Sequence, residues 1–370
     1  MNGLRSISLL LLSIVSFKAT AQHSPVRVAV LLPFHAEKGA NDAFNQAMLD
    51  YWLGIQTAAE DLGTNGIPCE IDLRDFKNDS LFFCSVAGKL WLNNHDLILG
   101  PVYPKQLKSM DQDYTITKPW VAPLAPYAFQ SASNGISMFA SDSVRLLGLA
   151  SEIQRCYPRH KIAIISPDKP KNAAQSQKTE AQLLRLLEGS SVSKHIWKTS
   201  SKSLSPALST GSDSFLFVYT DQFTPEAQSY LSKRALDATN SYAIGQFDWL
   251  DAQAAVSLPV DQKNRMLYPG NVVLDFLDST VSYLAQRMTV SQWGEPSKYA
   301  YLGYDHLLFL VSHFSVSPSL QPLYFRQQQL SPTFQGSIQN IRLTPTGHGM
   351  ANAGIRLVRI EGEYQIPVNP

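Results

Sequence analysis

Residues 26–35 read VRVAVLLPFH. Arg27 is the one charge in the apolar run, and Pro33 closes it. A run this short, rich in valine and apolar at successive positions, is the pattern of a strand buried on both faces. The rest of the chain is read outward from it. Phe44, Met48, Tyr51, Trp52, Ile55 and Ala59 recur at helical spacing, which predicts a helix over 44–62 that packs by one face. Gly63 to Pro68 breaks it. A strand from Glu70 to Leu73, a helix from Ser80 to Leu92, a strand from Asp96 to Leu99, a helix over 105–112 and a strand from Pro119 to Ala122 follow. The order β-α-β-α-β-α-β implies a parallel sheet with right-handed crossovers.

The alternation then restarts. Asp142 caps a helix over 143–155, and KIAII (161–165) is a buried-type strand. A helix over 173–188 and a short strand from His195 to Trp197 come next. SFLFVY (214–219) is a strand, and Pro225 opens a helix to about 236, a favourable first-turn position. Strands follow at Tyr242 to Gly245 and Met266 to Tyr268. The Ser/Thr-rich stretch 199–214 reads as a loop or a weak helix. The tail carries helices over 275–290 and 297–314, a Pro/Gln-rich linker over 317–333, and strands near 337–343, 353–360 and 363–367. Two α/β halves with such a tail suggest an interleaved two-lobe protein.

Composition narrows the function. The chain has 370 residues, 31 basic and 30 acidic, for a net charge of +1. A protein that grips a nucleic-acid backbone carries a basic surplus, so no nucleic-acid partner is expected. Arg5, the apolar run Leu9 to Leu12 with Ile14 and Val15, and Ala19-Thr20-Ala21 form the three regions of a secretory signal. Residues 1–21 are therefore read as a cleaved signal peptide. No later stretch is apolar enough to span a bilayer, so no span is expected in the mature chain. No cysteine stands directly after the cleavage point to take a lipid, so a soluble, exported, periplasmic protein is expected. Cys69, Cys84 and Cys156 are odd in number and read as buried small hydrophobes.

With the order of elements in place, several segments resemble the type I periplasmic binding proteins, the leucine/isoleucine/valine-binding and receptor-ligand-binding family. They are VRVAVLLPFHAEKG, IDLRDFKND, LILGPVYP and KPWVAPLAP in the first half, then GEPSKYAYLGYDHLLFL and FQGSIQNIRLTPTGHGMANAGIRLVRIEGEYQIPV. The resemblance implies an α/β fold of two Rossmann-like lobes with parallel sheets, joined by three hinge crossovers. It places lobe one at 26–140 plus 272–332 and lobe two at 141–271 plus 333–367. The hinges then fall near Ala140, Tyr268 to Asn271, and Thr333.

In open parallel sheets ligands bind beyond the carboxyl ends of the strands. The candidate ligand-binding residues are those that follow each strand: Phe34 and His35, Tyr103, Leu124 and Ala125, Tyr219 and Asp221, and Asp248. Tyr103 opens a helix whose free N–H groups suit a carboxylate. Asp248 matches a position where family members often carry an acid for a ligand ammonium; it also reads as a cap for a short helix at 249–255. Ala125 and Pro126 stand where the family often has a hydroxyl. His306 and His313 lie seven apart on an apolar helix and read as core, not as a metal site.

No nucleophile elbow, P-loop, metalloprotease helix or dinucleotide fingerprint is present in the sequence, so no catalytic residue, cofactor or metal is assigned. Two functions remain. One is a solute-binding protein of the transporter type, closing on a small polar molecule in the interlobe cleft and handing it to a membrane transporter. The other is an envelope scaffold or regulator of peptidoglycan synthesis that acts by protein contact, since lipoprotein activators of peptidoglycan synthases resemble this lobe pair. Export has a direct check. Mass spectrometry of the natively secreted protein should give a chain that begins at Gln22; a mass that retains Met1 to Ala21 would refute the cleavage site.

Overall fold

The computed structural model describes residues 24–35, 42–75, 81–132, 134–197, 213–237, 240–249, 258–292, 294–316, 333–361 and 364–368. The segment 1–21 read as a signal peptide, most of the 199–214 stretch, most of the expected 249–255 helix and nearly all of the 317–333 linker lie outside these residues.

Strand β1 (Val26–Leu32) is the centre of the first lobe. Val28, Val30 and Leu32 enter one core cluster, and Ala29 and Leu31 enter the cluster on the other face. Burial on both faces is why the run is apolar at nearly every position. Helix α1 (Ala43–Thr64) follows, capped by Asp42, whose side chain accepts from the Asn45 N–H. β2 (Cys69–Asp75) and β3 (Leu97–Leu99) flank β1, both parallel to it.

The helix expected from Ser80 to Leu92 is two pieces, α2 (Leu81–Cys84) and α3 (Val86–Asn93). The break is chemical: the Ser85 hydroxyl accepts from the Gly88 N–H and starts a new helix. α4 (Pro104–Asp111) and β4 (Trp120–Pro126) follow. β5 (Gly135–Phe139) runs parallel to β4 and has no counterpart in the sequence reading.

The second lobe repeats the plan. α5 (Asp142–Cys156) leads to β6 (Lys161–Pro167), then α6 (Ala173–Leu186), β7 (Val192–Trp197), β8 (Phe215–Tyr219), α7 (Pro225–Asp237) and β9 (Tyr242–Ile244). α8 (Val260–Lys263) and β10 (Met266–Gly270) close it. The chain returns to lobe one as α9 (Ser279–Gln292) and α10 (Lys298–Val316). α10 packs closely on α1. A Cβ at Gly54 would lie 1.7 Å from the Ala300 carbonyl oxygen, and one at Gly303 would lie 2.0 Å from that of Tyr51. Only glycine permits this approach.

The tail corrects the expected lobe boundary. β11 (Thr333–Gln335), β12 (Asn340–Pro345) and β13 (Met350–Asn352) extend the first sheet, through β13 on β5, rather than the second. Only β14 (Arg356–Glu361) and β15 (Tyr364–Pro367) join the second sheet, antiparallel beside β10. The third crossover therefore lies at 353–355, not near Thr333. The cause is a polar node on α10. Asp305 is fully buried and accepts from the N–H groups of Ser337, Ile338 and Gln339 and from the Ser337 hydroxyl. That node pins the β11–β12 turn to lobe one.

Beside it, the buried His306 ring bonds the Tyr51 hydroxyl at 2.8 Å and the Gln339 side-chain oxygen at 2.8 Å. Gln339 can only accept there, so Nε2 carries the proton and Nδ1 accepts from Tyr51. Burial holds the imidazole at about 4, below its ordinary 6.5. A depressed folded pKa means that protonation favours the unfolded chain, so this contribution is complete above about pH 6.5 and is lost toward pH 4. Across that interval it amounts to about 3 kcal/mol. Urea denaturation of wild type and His306→Gln at pH 7 and pH 4.5 should show a smaller pH loss in the variant; equal losses would refute the assignment.

Candidate functional site

The run of parallel strands in each sheet reverses its order once. In lobe one the order around the reversal is β2-β1-β3, and in lobe two it is β7-β6-β8. The carboxyl ends of the strands at such a reversal form a crevice.

In lobe one, His35 and Tyr103 meet at this point. The His35 Nε2 lies 2.6 Å from the Tyr103 hydroxyl. Phe44 stacks on Tyr103 with ring centroids 5.6 Å apart and an angle of 11°. The Asn45 side chain clamps the His35 backbone, accepting from its N–H at 2.9 Å and donating to its carbonyl at 2.6 Å. The Phe34 N–H donates to Asp75, which gives that strand-ending acid a structural role. Leu124 packs into the core, and the Ala125 carbonyl accepts from the Ser137 hydroxyl at 3.5 Å.

Lobe two keeps an open recess of about 200 Å³ at its crevice. Asp142, Arg145, Gln175, Thr220, Asp221, Phe247 and Asp248 line it. Asp221 is buried and accepts from the Lys171 N–H at 2.7 Å. Asp248 is exposed and accepts from the Phe223 N–H at 3.0 Å. Below them, Thr220 donates to Ser166 at 2.9 Å, Ser176 lies 3.0 Å from Thr220, and Ser166 donates to Glu180. A hydroxyl cluster, absent after β4, thus exists in lobe two, from Ser166 of β6, Ser176 of α6 and Thr220 after β8. Tyr219 sits beneath the recess, packed on Trp249 and Trp197. Its phenol is pushed up first by burial and then by Asp221.

A second cavity of about 350 Å³ spans the two lobes beside the crossovers. Pro126, Phe139 and Ala140 come from lobe one, Arg145 and Phe247 from lobe two, and Pro269 to Val272 from the crossover between them. The Arg145 guanidinium lies 3.8 Å over the Phe247 ring. Both residues line both cavities, so the two spaces adjoin.

The structure therefore brings together two pairs of the sequence candidates, His35 with Tyr103 and Asp221 with Asp248. Phe34, His35, Tyr103, Leu124, Ala125 and Tyr219 line neither of these two cavities. The sequence reading missed Arg145, Gln175, Gln246 and Phe247. Arg145 had one legible signal, a cation in the first turn of the helix that follows the first crossover.

No protein-family model matches the chain, and no curated protein matches it. Solved structures do. A putative branched-chain amino acid ABC transporter protein from Rhodospirillum rubrum is 10% identical, with 93% of this chain and 100% of that one covered and a TM-score of 0.60. LpoA from Haemophilus influenzae is 14% identical, with 97% of this chain covered and a TM-score of 0.58; the chain spans 61% of its length. The C-domain of that LpoA, a regulator of PBP1A, is 13% identical, with 93% of this chain and 100% of that domain covered and a TM-score of 0.55. At these identities the likeness is one of fold. The chain has the type I periplasmic binding protein fold: two lobes, each on a mostly parallel sheet with helices on its faces. Among the described residues no helix is long and apolar enough to cross a membrane.

The lobe-one aromatic group has a measurable energy. Tyr103→Phe removes the hydroxyl facing His35 and leaves the stack on Phe44. It should cost about 1 kcal/mol of unfolding free energy. An unchanged denaturation midpoint would show that the His35 contact holds nothing in place.

Proposed function

We propose that this chain is an extracytoplasmic solute-binding protein whose two lobes close on a small polar ligand, such as an amino acid or a peptide fragment. The carrying observation is that Arg145 and Phe247 line both the lobe-two recess and the interlobe cavity. A ligand held in the recess would therefore face the opposite lobe. Asp221 and Asp248 offer carboxylates for an ammonium, and Arg145 offers a guanidinium for a carboxylate. The interlobe volume falls within the range of small-molecule sites, about 300–1,000 Å³. The secretory pattern at residues 1–21 supports a periplasmic location, with a membrane transporter as the onward partner. Nothing in this reading needs catalysis, a cofactor or a metal.

A second reading has its own support. The lobe-one crevice is occupied by the bonded His35–Tyr103 pair and Phe44, which leaves that lobe less to offer a ligand. This favours a scaffold or regulator of peptidoglycan synthesis that works by protein contact.

Calorimetric titration with amino acids, short peptides and muropeptides separates the two. For a ligand that binds, Asp248→Asn should weaken affinity more than about tenfold, because it removes one member of a charged pair. The melting temperature should stay unchanged, since an Asn oxygen still accepts the Phe223 N–H. Small-angle scattering at saturation should show compaction. Absence of binding across all three ligand classes would reject the solute-binding reading in favour of the contact reading. Unaltered affinity in Asp248→Asn would remove that residue from the site.

A further inference from the structure

Helix α5 carries the cleft residue Arg145 near its start and ends at Cys156. Eleven residues of helix separate the two by about 16 Å. At that far end lies another cavity, of about 440 Å³, lined by Tyr157, Tyr242, Arg359, Ile366 and Pro367 among others. Tyr242 begins β9, so the cavity sits at the amino edge of the parallel set, opposite the cleft.

The polar groups of this cavity are mostly donors. The Arg359 side chain is 39% exposed, but its Nε atom is buried and, among the described residues, has no hydrogen-bond partner. Its terminal nitrogen meets Glu361 at 3.2 Å, which leaves the Nε–H unanswered. Tyr157 and Tyr242 pack against each other with ring centroids 5.3 Å apart. Among the described residues neither phenol has a hydrogen-bond partner. Burial raises the Tyr157 phenol, so it remains a donor at neutral pH. The Arg265 guanidinium lies 5.5 Å over the Tyr242 ring and adds positive potential. The nearby carboxylate of Glu152 is already held by Arg155 at 2.6 and 2.9 Å. The Cys156 thiol, pushed up to about 11 first by burial, stays protonated and brings no charge.

A buried guanidinium N–H without an acceptor is costly, and native structures rarely leave one. The space is large enough, at about 440 Å³ against about 30 Å³ for a water, to take an organic molecule in place of several waters. We propose that this cavity is a second binding site, remote from the cleft, for an organic carboxylate. The carboxylate accepts from Arg359 and the two phenols, and its apolar body lies on the tyrosine rings, Ile366 and Pro367. A single guanidinium, already beside the Glu361 carboxylate, suits a monoanion better than a phosphate, which needs more cationic neighbours.

The test uses the whole mature protein and two probes, benzoate and inorganic phosphate, in calorimetric titrations at pH 7. Benzoate should bind saturably. Arg359→Gln should weaken it about tenfold or more, as loss of a charged partner does. Tyr242→Phe should weaken it several-fold by removing one donor. Circular dichroism of Arg359→Gln should match wild type, because among the described residues the ion-pair partner of this arginine is the surface carboxylate of Glu361, and exposed pairs stabilise little. Should Arg359→Gln fail to fold, Arg359→Lys, which keeps the charge and loses the fork, must show the same weakening. No saturable benzoate binding would overturn the site, as would equal affinity in the arginine variants. Phosphate binding as tight as benzoate would overturn the ligand class. Loss of benzoate binding in Arg145→Gln, with Arg359→Gln unaffected, would move the probe to the cleft and also overturn the proposal.

Discussion

One buried carboxylate holds the two lobes in register. Asp305 gathers the backbone N–H groups of Ser337, Ile338 and Gln339 onto α10. Burial raises its carboxyl above the usual range, even against the four hydrogen bonds it accepts. The turn it holds has no room for a side chain at Gly336, where a Cβ would lie 2.5 Å from the Asp305 carboxyl carbon. Everything near the crossovers then attaches to this turn. The Ile338 carbonyl accepts from the Val273 N–H, just past the second crossover. The Gln339 and Asn352 side chains both donate to the Met138 carbonyl, just before the first. Arg356, just past the third, donates to the Gly336 carbonyl at 3.1 Å. Three separate pieces of chain thus share one anchor beside the crossovers.

This anchor explains the Gly-Tyr-Asp sequence at 303–305. Gly303 permits contact with α1, the Tyr304 hydroxyl donates to Asp61 at 2.9 Å, and Asp305 builds the node. The motif is structural in all three positions. It was legible as a resemblance, but its function as an anchor was not, because its partners lie some thirty residues on, at 337–339.

The alternation of strands and helices was legible because each buried strand had to be apolar on both faces. β1, β3, β6 and β8 all carry that mark. β5 was missed because GISMF follows a polar stretch, with a glycine and a serine inside, and lacks valine density. The boundary at Thr333 was misplaced for a different reason. A strand that adds to a sheet edge leaves the same local pattern whichever sheet receives it. Only the Asp305 node and the β13–β5 pairing decide that β11 to β13 stay with lobe one. The site was half legible on the same logic. Residues just after strands could be named from strand ends, which gave His35, Tyr103, Asp221 and Asp248. Arg145 could not, because it reaches the cavity from a helix position that only the crossover geometry sets; Phe247 follows β9 as Asp248 does and was passed over for the acid beside it.

The two crevices differ in what they leave for a ligand, and that difference bears on how recognition would proceed. In lobe one the strongest donors and acceptors are already spent on one another across 2.6 Å. In lobe two each of Asp221 and Asp248 has one oxygen held by a backbone N–H, which fixes the carboxylate without neutralising it. Asp248 is exposed, and in open water a single charged contact there contributes little. Apposing Pro126 and Phe139 from lobe one would exclude water from the same space and strengthen every charge interaction inside it. Initial capture would then belong to lobe two, while affinity would come from closure. In this division of labour lobe one would need no hydroxyl of its own after β4: Pro126 and Phe139 would supply apolar cover, with Lys298 of α10 as the one cation it brings to the lining.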